Sequence, residues 1–117
     1  MITKTNNNSS TTREIPPLVN KNDLINRLLE SISRHSGHTP EEIRNGSEHK
    51  MSHWRKIAMY ILVTEYKWTY ESAGGVFENK APHAHISVAD IKKKLNTEGQ
   101  VHLVLPYINQ VIFDLEL

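Results

Sequence analysis

Cysteine is absent from the 117 residues, and this one absence excludes a disulfide framework, a thiolate zinc site and a cysteine nucleophile together. Any metal would have to be held by histidine and carboxylate. No apolar run approaches the length of a membrane span. The opening "MITKTNNNSSTTREIPP" lacks the apolar core of a signal peptide, so the expectation is a cytoplasmic protein, at the nucleoid if the source is bacterial. Also missing are a Walker-type phosphate loop, a GxSxG elbow, an HExxH pair and a carboxylate pair in apolar surroundings. These gaps lead away from an enzyme, and neither a catalytic residue nor a cofactor is expected.

What is present is the composition of an ordinary globular protein, 38% hydrophobic and 23% charged. The length suits one domain with a single modest core. The formal net charge is only +1, but it is unevenly spread. Residues 49–95 hold eight of the fourteen Lys and Arg and only four of the thirteen Asp and Glu, leaving this section at +4 and the remainder at −3. Such asymmetry suits a middle section that faces a polyanion, although lysine-rich helix faces are often merely solvated.

Residues 1–20 are polar and rich in Asn, Ser and Thr, and read as a disordered tail ahead of a single helical domain over 21–117. In "NDLINRLLESISRH" Leu24, Leu28 and Ile32 form a stripe with Ile25 and Leu29 beside it, the period of an amphipathic helix. Gly37 offers that helix a left-handed stop. "HTPEEIR" combines a capping Thr39, Pro40 at the first helical position and Glu42 closing a capping box, and Asn45-Gly46 ends this short helix in a turn. "MSHWRKIAMYILVTEYKW" places Trp54, Ile57, Ala58, Ile61 and Leu62 on one side and predicts the central helix. "TYESAGGVF" predicts a further helix capped by Thr69, with Ala73, Val76 and Phe77 inward and a Gly74-Gly75 pair that close helix packing would justify. A turn, "ENKAPHA", leads to a helix with Val88, Ile91 and Leu95 on one face. In "VHLVLPYINQVIFDLEL", Val101, Leu103 and Leu105 alternate like a strand while Val104, Ile108, Val111, Ile112 and Leu115 repeat like a helix. Since Pro106 is tolerated only in a first helical turn, a helix from about Leu105 is preferred. The prediction is an all-α bundle of five to six helices, whose short helix, tight turn and second short helix raise a helix-turn-helix.

The segment "KAPHAHISVADIKKKL" admits three chemistries. A metal site is suggested by His83 and His85 and by His49 and His53 at i, i+4, but nothing fixes a third ligand and surface histidines are commoner. A phosphate site at Gly74-Gly75 rests on two glycines alone. The DNA reading connects more residues: "TYESAGGVF" would support a recognition helix "HISVADIKKKL". His85, Ile86, Ser87 and Asp90 would then lie where base edges are reached, and Lys92, Lys93 and Lys94 further along at phosphates. The alternative is an ordinary helix connection with a solvated basic face.

Two stretches resemble a known family. "WRKIAMYILVTEYKWTYESAGGVF" is similar to the "RQIAMYL" helix and the following "S-L-x-E-I-G-x-x-F" helix, and "HISVADIKKKL" to the "HTTVLHAxxKI" signature, of the C-terminal DNA-binding domain of the bacterial replication initiator DnaA, a Trp-repressor-like helix-turn-helix fold. With "HTPEEIR" the resemblance spans roughly residues 35–95. It implies double-stranded DNA as partner, Arg55 as a minor-groove anchor with Lys56 beside it, and His85 and Ser87 facing the major groove. Lys80 or His83 stands near the family's basic residue before that helix. The chain departs from the family in three places. "FENKAPHAH" is three residues longer than the family's "FGGRDH" and puts Ala84 in place of an aspartate, Ile86 replaces a hydroxyl residue, and Asp90 stands where a histidine is common. No counterpart of the initiator's nucleotide-hydrolysing domain is present, so ATPase activity is not expected. The expected function is sequence-specific duplex binding in replication or transcription control, with no membrane partner. The alternative is an interaction module on the same scaffold, meeting a second copy or another protein through the C-terminal helix.

Overall fold

The computed structural model describes residues 20–77 and 83–116, and within them six α-helices and one 3₁₀ turn. They are α1 (Lys21–Ser36), α2 (Pro40–Asn45), α3 (Met51–Glu65), α4 (Tyr70–Gly75), α5 (Ala84–Leu95), the turn Val101–Leu103, and α6 (Leu105–Glu116). The described residues contain no strand. The predicted polar tail up to residue 19 and Lys80 lie outside the described residues. Asn20, assigned to that tail, is the N-cap of α1: its side-chain oxygen accepts the Asp23 N–H at 2.8 Å.

Local chemistry starts and stops several helices as the sequence predicts. Gly37 closes α1 at φ +82°. Thr39 and Glu42 exchange both capping-box bonds, at 2.9 and 3.0 Å, at the head of α2, and Thr69 accepts the Ser72 N–H at 3.0 Å to open α4. Pro106 sits in the first turn of α6, where its missing N–H costs nothing.

Three ends differ from expectation. Predicted to reach Trp68, α3 stops at Glu65 because Lys67 turns left-handed (φ +63°) and the Trp68 N–H folds back onto the Leu62 carbonyl at 3.0 Å. Lys21 of α1 lies 5.0 Å over the Trp68 ring and holds that turn from across the fold. The last residues assigned to α4, Val76 and Phe77, form a tighter turn, their N–H groups reaching the carbonyls of Ala73 and Gly74. Val101–Leu103 is the 3₁₀ turn rather than an alternating strand.

The buried side chains form one cluster around α3, which packs against all five other helices. Met51, Ile57, Ala58, Met59, Ile61 and Leu62 are buried on nearly every side of it, while Trp54 is half-buried with its ring edge-on to Tyr107 of α6, centroids 5.0 Å apart. At about 25 cal/mol per Å² of apolar surface removed from water, this shared core is the main stabilising term. The Gly74-Gly75 pair is not explained by close packing at Gly75, where an added Cβ would meet nothing within 4 Å. Gly46 is the tighter position: its backbone is extended rather than left-handed, but a Cβ there would stand 2.5 Å from the Glu42 carbonyl oxygen.

A polar line joins α1 to α6. Asp114 accepts hydrogen bonds from Ser31 Oγ at 2.6 Å and Arg34 at 3.2 Å and lies 3.0 Å from His35 Nε2, while Arg27 donates to the Leu115 carbonyl at 3.0 Å. The Ser31 hydroxyl holds the Asp114 carboxyl below its ordinary range, against partial burial and with help from His35 and Arg34. Asp114 of "VIFDLEL" is therefore engaged within the fold.

Candidate nucleic-acid interface

The inner face of α5 is Ala84, Ser87, Val88 and Ile91, all buried and spaced i, i+3, i+4, i+7. This leaves His85, Ile86, Ala89, Lys92 and Lys93 exposed along the opposite stripe. Order along the stripe follows directly: imidazole and short apolar groups come first, ammonium groups last. The first turn has no side-chain cap from His83. Around it stand three exposed rings, with His85 centred 6.2 Å from both His83 and Tyr70. Tyr70 opens α4 and is 46% exposed.

The helix is pinned to α3 by charge as well as by packing. Asp90 Oδ2 accepts from Lys56 Nζ at 3.1 Å and lies 3.2 Å from Lys94 Nζ. Burial alone would raise the Asp90 pKa, but the hydrogen bonds and charges of the two lysines outweigh it and hold the carboxyl below its usual value. Beside this clamp His53 meets the Leu103 carbonyl at 3.0 Å. Its burial, followed by the Lys94 charge, pushes the imidazole pKa below 6.5 despite that hydrogen bond, so His53 donates Nε2–H as the neutral ring.

Several residues assigned to DNA contact stand elsewhere. Arg55 is 4% exposed, and its guanidinium faces the end of α2 rather than a groove. Nε donates to the Ile43 carbonyl at 2.6 Å, and the terminal nitrogen donates to the carbonyls of Glu42, at 3.3 Å, and Gly46. These carbonyls lie at the C-terminal end of α2, where the Glu42 carbonyl also accepts the Gly46 N–H at 2.7 Å, and the partial negative charge at a helix end favours a cation. Burial lowers the Arg55 pKa from its ordinary value, yet a guanidinium keeps its charge under such conditions. Ser87 is 8% exposed on the inner face, so the assignment of its hydroxyl to the major groove is corrected. Lys56, Asp90 and Lys94 neutralise one another in part, and Asp90 is not presented as a reader. His83, His85, Ile86, Lys92 and Lys93 do share one exposed surface.

Sequence reasoning missed Tyr70 and Ala89. Ala89 was available as the i+4 neighbour of His85. Tyr70 was marked only by following the Thr69 cap, with no signal that its ring would meet His85. His49 lies outside α3 and does not share a helix face with His53, and no cluster of three or more His, Asp or Glu suited to a metal occurs among the described residues. No helix among them is long and apolar enough to cross a membrane.

No protein-family model, no curated protein and no solved structure matches this chain.

Proposed function

We propose that the chain is a non-enzymatic double-stranded DNA-binding protein, with α4 and α5 acting as an initiator-like helix-turn-helix in replication or transcription control. The observation that carries the reading is the outward stripe of α5. It presents His85, Ile86 and Ala89 ahead of Lys92 and Lys93 on a helix whose other face is fixed in the core. An α-helix fits the major groove, base edges are read near its N-terminal end, and phosphates are met by lysines flanking them. Neither Lys92 nor Lys93 has an ion-pair partner among the described residues, so both ammonium groups are free to displace counterions. The motif likeness to the DnaA DNA-binding domain supports the same helix pair. Arg55 does not enter this interface.

The test is fluorescence anisotropy of a duplex carrying an initiator-type box against a scrambled duplex, at low and near-physiological salt. Preference for the box at both salts is expected. Tight but indifferent binding that collapses with salt would reduce the interface to phosphate contact, and no binding would end the DNA reading.

One observation favours a second reading. Phe113 is 61% exposed on α6, with Leu105 also exposed, which suits contact with a second copy or another protein. Sedimentation of the wild-type chain and F113E, with and without duplex, separates the two: a stable complex that ignores DNA and is lost in F113E supports the interaction module.

A further inference from the structure

On the outward stripe of the first two turns of α5, where base edges would be read, His85 is the one hydrogen-bonding side chain. Ser87 is turned into the core, Asp90 is held between two lysines, and the first two turns expose no arginine, asparagine or glutamine. What remains on the stripe is the His85 ring and the aliphatic groups of Ile86 and Ala89. Ile86 is 55% exposed at the third position of α5, and Ala89 lies one turn further along the same side.

Bidentate hydrogen bonding, the usual means of distinguishing guanine and adenine, needs Arg, Lys, Asn or Gln at the base edge. Here it is unavailable in the first two turns. The major-groove edge carries one apolar marker, the C5 methyl of thymine, and aliphatic side chains recognise it by excluding water. Resting on the DNA reading above, we propose that Ile86 is a specificity-determining residue that selects thymine through its C5 methyl, with Ala89 leaving room for the base pair beside it. The cognate duplex then has an A·T pair under the first turn of α5.

The test removes only the methyl group. A pool of short duplexes with a randomised centre is passed over the immobilised full chain, and the most enriched duplex is remade with deoxyuridine at one thymine at a time. This substitution keeps every hydrogen-bonding group of the pair. At one position or more, affinity should fall about fourfold, the worth of one methyl returned to water. I86A should lose about as much on the thymidine duplex and nothing further on the deoxyuridine duplex. That variant changes an exposed helical residue to the best helix former, so it should fold, and circular dichroism verifies this. Indifference to deoxyuridine at every position, with binding retained, overturns the inference and leaves the DNA reading standing. So does discrimination that survives in I86A. Failure of every duplex to bind at low salt overturns the DNA reading and this inference with it.

Discussion

Arg55 stands where the family resemblance implies a groove contact, but its side chain closes a helix. Three carbonyls receive its guanidinium. Removing the charged donor leaves the buried Ile43 carbonyl without it, while the Glu42 carbonyl keeps the Gly46 N–H, so R55A should lower unfolding free energy by about 1–3 kcal/mol in denaturant titrations. R55K should recover little, because one ammonium cannot match the fork. DNA affinity of the folded fraction should change little in R55A. A tenfold loss with intact stability would return the residue to the interface. His53 gives a second test at this scale. Its folded pKa lies below the ordinary 6.5, because burial and the Lys94 charge oppose protonation. The unfolded chain therefore binds a proton first. The contribution is full above pH 6.5 and lost as pH falls through the lower folded value. The thermal midpoint of the wild type should drop across this window, and H53Q, which keeps an N–H donor without a titrating ring, should flatten the drop.

At the level of elements, what could be read in advance was what neighbouring residues decide. The Thr39 and Glu42 capping box, the Gly37 stop and the Thr69 cap each involve residues within a few positions, and each forms as the sequence predicts. The end of α3 was not legible, because its left-handed Lys67 is stabilised by Trp68 under Lys21, contributed from α1. A side chain pays for that backbone conformation, so K67G should raise stability by up to about 1 kcal/mol, less the lost Lys67 bond to the Thr64 carbonyl. A lowered thermal midpoint would mean that this bond and the side-chain packing matter more than the strain. The site was legible in part for a related reason. Helical spacing puts Ser87 with Ala84, Val88 and Ile91, whereas position within the family motif puts it with His85; the packing of α5 on the core decided for spacing.

For the whole molecule, the positive charge of residues 49–95 is unevenly available at the surface. Lys56 and Lys94 share Asp90, while Lys92 and Lys93 keep their charge outward. If these two meet phosphates, K92A and K93A should each weaken binding on all duplexes alike and reduce the slope of log affinity against log salt by about 1. An unchanged slope in both would remove α5 from the phosphate backbone. The all-helical class followed from apolar periodicity, since most of the stripe it marks on α1, α3, α5 and α6 is buried, with Trp54, Leu95 and Ile112 half-buried; Ser31 of α1, Ala84 and Ser87 of α5, and Met51, Arg55 and Met59 of α3 are buried beyond it. The arrangement of the six helices was not readable in the same way, because the links that fix it, Asp114 to α1 and Arg55 to α2, join positions far apart in the chain.

The six residues of α2 are far too few to persist as a helix in water alone. Because Arg55 supplies partners to its last carbonyls from α3, opening of the two helices is coupled. Amide hydrogens of α2 should exchange with solvent on the timescale of those in α3, as one cooperative unit, although α2 lies at the edge of the fold.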